Sequence, residues 1–482
     1  MRICLIAEGS YPYVSGGVSS WIQQLMTNMP EHEFIIIAIS PDSKKEAIYR
    51  YNPPRNLLEV YDIYMDELLS SKGKWNKNIN LSPQETELIA ELLKSKVSDW
   101  AGLFDTFLKM KSQGVSANDI FSSKTFYDLI QEVYVENFTH VSFSDMLWTM
   151  RSMYIMLFAL LLKKYPKADI YHSVSTGYSG LVSAYAAYSN SSKFVLTEHG
   201  IYTREREEEI IKADWVKGNF KSIWIKYFEC LSSAAYERAD SVISLFHKNK
   251  EIQVSLGCDE NKIDVIHNGI NVESFAKVKE LVSQRKEKDG FNVGAIIRVV
   301  PIKDIKTMLQ AFSYVSKRFP EIKFFIMGPT DEDEDYYQEC LQHKDYLKLD
   351  NAVFTGTVNI KDYLGEIDVL VLTSISEGQP LSTLEGMACS LPVISTNVGD
   401  CKTLAIGHGD NYGPAGRILH VMDYEGIGRG IIELYQDYNT RRILGENGYQ
   451  RIKNLYSSNT FIQSYKDLYI ELAEEGDSLW PE

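Results

Sequence analysis

The chain is short of cysteine and short of positive charge. Six cysteines in 482 residues form no C-x-x-C pair, and no histidine stands at zinc-site spacing from them. A disulfide scaffold and a zinc ribbon are thereby excluded, and the scattered thiols read as reduced and buried in a cytoplasmic protein. Lys and Arg number 50 against 65 Asp and Glu, for a net charge of −15. Nucleic acid is a poor partner for such a surface, because phosphate-backbone binding rests on Lys and Arg. One small anion is still allowed, since two or three local cations outweigh distant charge screened over about 10 Å.

Long apolar runs are missing too. The longest, Met153 to Leu162, is far below the roughly 20 residues of a membrane span, and is expected to be a buried helix. The first residues, MRICLIAEGSYP, lack the regions of a secretory signal and read as a strand and a turn. No G-x-G-x-x-G, Walker A loop, H-E-x-x-H or G-x-S-x-G occurs, which removes the usual dinucleotide, P-loop, zincin and hydrolase readings. The acidic run Asp331–Asp335 reads as a solvated helix start and not as a metal cluster. No metal and no cofactor is expected.

What is present is an α/β pattern. Apolar residues are 44% and charged residues 24%, ordinary for a globular chain. Short apolar runs alternate with amphipathic stretches, the signature of parallel sheets. Arg2–Ala7, Glu33–Ser40, Asp169–Val174, Lys193–Thr197 and Ser241–Leu245 are predicted strands of a first Rossmann-like domain, residues 1–275. Asn292–Ile297, Ile322–Met327, Ala352–Thr355, Val369–Leu372 and Pro392–Ser395 are predicted strands of a second, residues 290–456. Strands vanish between about residues 83 and 164, where patterns such as ETELIAELLKSKV predict a helical insertion in the first domain. The charged stretch Ala276–Asp289 reads as the interdomain linker. Residues 457–482 read as a final amphipathic helix. Two such domains would face a cleft, with ligands outside the carboxyl ends of the strands.

Four motifs fall on those ends. Glu377-Gly-Gln-Pro-Leu-Ser-Thr-Leu-Glu385 follows a strand and opens a helix, with Pro380 suited to the first turn. Gly378 permits close backbone approach, and the N–H groups of residues 378–382 can hold hydroxyls or phosphate. Two Glu eight apart are common in an acidic chain and also suit a helix start, so their placement carries the reading. Arg298-Val-Val-Pro-Ile-Lys303 sets a fork and a point charge where a strand ends, which suits a diphosphate. Lys303 before a helix opposes the dipole unless an anion is there. In the first βα loop, Gly16 and Gly17 open a helix and can turn N–H groups to a phosphate or an acceptor, or can simply be a turn. Thr197-Glu198-His199-Gly200 puts His199 just past a strand. His267-Asn268-Gly269-Ile270 is placed at the end of the first domain's last strand, a turn first and a ligand contact second.

Together these residues resemble the GT-B retaining glycosyltransferases of family 4. More narrowly, YPYVSGGVSSW, TEHGIYTRERE, RVVPIKDIKT and SISEGQPLSTLE look like the PelF-type transferases of Pel exopolysaccharide systems, which also carry an enlarged first domain. The resemblance implies a UDP-sugar donor, a polysaccharide acceptor and membrane-embedded synthesis and export partners. It implies that Arg298 and Lys303 hold the donor diphosphate, and that Glu377 with Gly378, Gln379, Pro380 and Leu381 holds the transferred sugar. Ser382 is placed near that sugar, Glu385 on the ribose, and Thr357 and Val358 against the uracil. His199 contacts the sugar near the reacting carbon, Gly17 approaches the diphosphate, and the final helix crosses back to the first domain. Two other readings fit the same residues. One is a UDP-sugar 2-epimerase of GT-B fold, and the other a non-catalytic sugar-nucleotide-binding component of a polysaccharide assembly complex.

Overall fold

Runs such as RICLIAE and EFIIIAIS are apolar at nearly every position, because both of their faces are covered. In the computed structural model, which describes residues 1–41, 43, 48–70, 79–286 and 290–477, such runs form two parallel sheets in two units. One unit comprises residues 1–245, 249–265 and the chain from Tyr465 onward, the other residues 246–248 and 266–464.

In the first unit, β1 (Arg2–Glu8), β2 (Glu33–Ser40), β3 (Leu57–Tyr64), β4 (Ile170–Ser173), β5 (Lys193–Glu198), β6 (Ser241–Ser244) and β7 (Ile263–Val265) lie in the order β3-β2-β1-β4-β5-β6-β7. The order reverses between β1 and β4, which makes their carboxyl ends the switch point where α/β sheets bind ligands. The chain from β3 to β4 is mostly helical, with Pro83–Leu93, Trp100–Ser112, Ala117–Phe121, Lys124–Asn137 and Phe143–Leu161. Ser82 and Glu85 form a capping box at its first long helix, with Pro83 just inside. The run Met153–Leu162 falls at the end of Phe143–Leu161, where Met153, Tyr154, Leu157, Phe158 and Leu161 are buried. These helices share one core with the sheet through residues such as Trp100, Phe104 and Tyr185. Residues from the chain's last described helix, Ser458–Asp477, pack on the same unit. Tyr469 Oη lies 2.6 Å from His172 Nδ1, Tyr465 Oη lies 2.9 Å from Thr197 Oγ1, and both tyrosines are fully buried. Trp21 meets Tyr465 edge-on at 5.3 Å.

In the second unit, β8 (Asn292–Ile296), β9 (Lys323–Met327), β10 (Ala352–Gly356), β11 (Val369–Leu372), β12 (Val393–Thr396) and β13 (Gly416–Leu419) take the order β10-β9-β8-β11-β12-β13. Here the switch point lies between β8 and β11.

Two sequence expectations change. Residues 266–275 belong to the second unit and not the first. Ile270 pairs with Ser457 and the His267 ring lies 4.5 Å from that of Tyr456, while Val272 and Phe275 are buried in the second unit's core. The expected linker is largely a helix, Ala276–Gln284, whose Val278 and Val282 pack into the same core. Two valines at i and i+4 are enough to seat a run that is otherwise charged. Residues 287–289 of that stretch, and 478–482 of the expected final helix, lie outside the described residues.

All six cysteines are buried free thiols. Among the described residues, no helix is long and apolar enough to cross a membrane.

Candidate functional site

The switch point of the second unit is built by two loops. The loop after β8 carries Arg298, makes one 3₁₀ turn at Pro301–Lys303, and turns through Asp304 in the left-handed region (φ 48°). Asp304 then caps the helix Ile305–Ser316 by accepting from Thr307 N–H at 3.2 Å. The loop after β11 carries Glu377 and leads into the helix Leu381–Ala388, with Pro380 at the N-cap. The two loops are laced together. Thr373 Oγ1 donates to the carbonyls of Lys303 and Asp304, and Ile375 N–H donates to Ile302 O at 2.9 Å.

This lacing brings Lys303 Nζ to 2.5 Å from Glu377 Oε1, with the two side chains only 14% and 11% exposed. Ser374 Oγ donates to the same carboxylate oxygen at 2.5 Å. Arg298 is held elsewhere. Its exposed guanidinium donates to Glu332 at 2.7 Å, so one residue of the acidic run Asp331–Asp335 pairs with a predicted diphosphate ligand. Glu385 sits one turn into its helix, half-buried, and burial lifts its carboxyl to about 7 against the lowering influence of Lys361. Such a shift at a loop-and-helix edge marks a functional candidate. Ser382 is half-buried and Leu381 exposed in the first turn of that helix, while Thr357 and Val358 follow β10 at the same edge of the sheet.

Gln379 is not free to face a sugar. It is 7% exposed, accepts from Asn268 N–H at 2.8 Å and donates to Asp400 Oδ2 at 2.7 Å. Asp400 is also buried, its N–H donates to Gly378 O at 2.9 Å, and burial lifts its carboxyl to about 7 despite the Gln379 hydrogen bond. Gly399 must be glycine here. Its φ is +50°, and a Cβ would stand 2.2 Å from Gly378 O and 2.4 Å from Glu377 O. Gly269 is likewise wedged against Phe461 and Ser457, which gives it a packing reason. The clamp Asp400–Gln379–Asn268 thus fixes the backbone of residues 377–379. Sequence reasoning missed Asp400 because an Asp after a Val-Gly turn carries no distinctive spacing.

The first unit has its own polar constellation at the β1/β4 switch point. Glu8 ends β1 and Ser10 follows it, Ser175 follows β4, and His199 and Gly200 follow β5. With Tyr202, Glu205 and Arg206 they line a cavity of about 290 Å³. Tyr202 Oη donates to Glu8 Oε1 at 3.1 Å, and the Arg206 guanidinium lies 4.9 Å over the Tyr202 ring. Burial raises the carboxyl of Glu8, with Arg206 opposing. Burial also pushes His199 down to about 4, so its ring is neutral at physiological pH. His199 packs edge-on against Trp21 at 4.9 Å. The buried Ser10 Oγ, His199 Nε2 and Arg206 Nε have no hydrogen-bond partner in the protein. Unpaired buried polar atoms of this kind call for an explanation. Glu8, Glu205 and Arg206 stood in the quoted loops of the sequence, yet nothing in their spacing singled them out. Gly16 caps the helix Gly17–Thr27, and its N–H donates to Tyr51 Oη at 3.3 Å. No atom lies within 4 Å of a Cβ at Gly16 or Gly17, so packing does not demand glycine there. Among the described residues, no group of three His, Cys, Asp or Glu could hold a metal ion.

Comparison with known proteins agrees with this architecture. Residues 1–261 match the family described as Domain of unknown function (DUF3492), and residues 277–451 match Glycosyl transferases group 1. The capsular polysaccharide biosynthesis glycosyltransferase CapM of Staphylococcus aureus is 28% identical over 48% of this chain and 60% of its own length. The UDP-Gal:alpha-D-GlcNAc-diphosphoundecaprenol alpha-1,3-galactosyltransferase of Escherichia coli is 27% identical over 66% of this chain and 79% of its own. Among solved structures, Anabaena HepE in complex with UDP superposes with a TM-score of 0.59 at 14% identity, covering 98% of this chain and 100% of that one. Sucrose-phosphate synthase from Thermosynechococcus elongatus gives 0.57 at 15%, covering 98% and 99%. The two parallel-sheet units are the GT-B fold. The chain therefore belongs to the DUF3492 family, and its second unit carries a glycosyl transferases group 1 domain.

Proposed function

We propose that this protein is a retaining, metal-independent glycosyltransferase that moves a hexose or N-acetylhexosamine from a UDP-sugar to a growing, Pel-like exopolysaccharide. The observation that carries the reading is the water-shielded Lys303–Glu377 pair at the second unit's switch point. Such a pair is a weak source of stability, because desolvating two charges offsets most of their attraction. It is a good donor site at rest. An arriving diphosphate takes over the Lys303 ammonium, and Glu377 is released to accept hydroxyls of the transferred sugar. Arg298, exposed and paired with Glu332, exchanges that carboxylate for the second phosphate. Glu385 accepts from the ribose, the uracil lies along Thr357 and Val358, and Gln379 positions the backbone of Gly378 through Asp400 and Asn268. UDP as the nucleotide is supported by the HepE complex and by the name of the E. coli relative.

Bond breaking at the sugar's anomeric carbon leaves its electron pair on the diphosphate. Lys303 and Arg298 stand where that negative charge develops, which is the place electrostatic catalysis acts. The acceptor hydroxyl bonds to the same face of the carbon, and its proton passes to the departing phosphate oxygen. That front-face course follows the resemblance to retaining family 4 enzymes, and isolation of a covalent glycosyl-enzyme would overturn it. His199 meets the sugar as a neutral imidazole, and the Glu8, Tyr202 and Arg206 groups of the first unit's cavity offer partners for acceptor hydroxyls. The acceptor is met at the inner face of the membrane, through membrane-embedded partners.

Calorimetric titration of UDP, GDP and ADP into metal-free protein tests the proposal. UDP alone is expected to bind, with a Kd in the range of about 1–100 μM. Preference for GDP or ADP rejects the Pel-like assignment, and no nucleotide binding rejects the donor site.

A further inference from the structure

A second cavity of the first unit, of about 910 Å³, is separate from the one that holds His199. Its floor is the helix Gly218–Arg238. Asn219, Ser222, Lys226, Glu229 and Ser233 line it from that helix. They recur every three or four residues and so form one polar stripe, which runs about 21 Å at 1.5 Å per residue. The opposite wall comes from the helical insertion, with Phe138 and the ion pair Lys94–Glu136 (2.9 Å). Thr203 closes one side with a buried hydroxyl that has no partner in the protein. The volume is at the upper end of small-ligand pockets, too large for a lone ion or a single sugar.

Its chemistry selects the occupant. A peptide strand finds no sheet edge to extend, since the lining residues lie on helices and turns. A docked amphipathic helix needs an apolar groove, and here the apolar residues of the floor, Ile223, Cys230 and Tyr236, are buried while its exposed residues are the polar stripe. A saccharide chain needs side-chain donors and acceptors in a row, with an apolar or ring face beside them. Ser222, Ser233 and Asn219 supply both functions, Lys226 donates, Glu229 accepts, and Phe138 is the ring. Three lysines against two glutamates leave no excess of negative charge, so neutral and acidic polymers are not repelled.

We propose that this groove is a second saccharide site, holding several sugar units of a polymer at a distance from the reacting end. Tyr202 lines the cavity of His199 and Thr203 lines the groove, so the first turn of one helix, Tyr202–Lys212, walls both. A polymer seated in the groove is thereby held next to the proposed acceptor cavity, which keeps a product bound between successive transfers. The choice of a saccharide polymer rests on the transferase reading; the groove and its polar stripe do not.

The full chain is titrated with a tetramer of N-acetylglucosamine and with a tetramer of glucose, and separately with UDP. At least one tetramer is expected to bind in the millimolar range or tighter. Ser222→Trp, at an exposed position of the stripe, fills the groove and is expected to weaken that binding at least about tenfold. UDP affinity and donor hydrolysis stay unchanged, and products made on a supplied acceptor become shorter. Failure of both tetramers to bind below about 10 mM, or tetramer binding that Ser222→Trp leaves intact, overturns the inference. UDP binding without tetramer binding fails the groove alone, whereas absence of UDP binding fails the transferase reading.

Discussion

Replacing Lys303 by Met separates what the Lys303–Glu377 pair does for stability from what it does for chemistry. Methionine keeps the apolar stem and removes the ammonium. Breaking a fully buried ion pair costs about 3–5 kcal/mol, because the surviving charge is left without a partner. Glu377 retains the Ser374 hydroxyl and is 11% exposed, so the expected cost is lower, about 2–3 kcal/mol. For a unit of this size that lowers the melting temperature by about 4–12 °C. Glu377→Gln alone strands the ammonium and costs a similar amount. The double variant Lys303→Met/Glu377→Gln leaves no charge behind, so the two effects couple by about 1.5–3 kcal/mol in its favour. Turnover behaves differently. Each single variant loses roughly 10²–10³ in kcat, and the double recovers none of it. Differential scanning calorimetry and UDP release from a UDP-sugar read the two quantities. Additivity of the single effects within about 0.3 kcal/mol would refute the shielded pair. Recovery of turnover in the double variant would refute its part in the reaction.

Three further outcomes follow from the geometry. Burial raises Glu385 from the ordinary 4.5 to about 7, so the folded unit holds this proton to higher pH than the unfolded chain does. Its contribution to stability therefore falls as pH rises between those values, a slope to which Asp400, lifted to about 7 as well, adds; UDP affinity climbs around pH 7, where the ribose-binding carboxylate forms in the folded unit, and Glu385→Gln flattens the affinity curve and lessens the stability slope, whereas a wild-type affinity that is level from pH 5 to pH 8 contradicts the assignment. Gly399→Ala forces a Cβ into Gly378 O at φ +50°, at an expected cost of about 1–3 kcal/mol, and displaces the Glu377 loop enough to weaken UDP binding about tenfold or more; unaltered binding and melting would show that the loop is not pinned there. His199 is expected to keep constant imidazole chemical shifts above about pH 5, since burial holds it near 4, and a midpoint in the usual histidine range would deny its neutral role.

The centre of each sheet was legible in the sequence because strands covered on both faces are apolar nearly throughout, as EFIIIAIS of β2 and VLVL of β11 are. The edges were not. LLEVYDIY of β3 places Glu59 and Asp62 on an edge strand that is partly solvated, and GRIL of β13 is short and half-exposed. The three residues of β7 are too few to show a period. Lys303 and Glu377 stand 74 positions apart, and only the adjacency of β8 and β11 makes them neighbours. The reverse holds for Gln379 and Gly269. Both lie in motif-like surroundings that read as ligand contacts, yet burial and close packing give each a structural task. Helical segments with charged surfaces mislead in the same direction, since the two valines that seat Ala276–Gln284 are outnumbered by the charges around them.

The first sheet depends on Tyr465 and Tyr469, which are encoded some two hundred residues after its last strand, β7. On a ribosome adding about 5–20 residues per second, the segment that packs on His172 and Thr197 is made about 10–40 s after the rest of that unit. For this interval the nascent first unit has its hydroxyl-bearing partners missing and the rings of Trp21 and His172 uncovered. The second unit, whose sheet is contiguous in the chain, can fold during that time. The unit that begins translation first is thus the one that reaches its native state last.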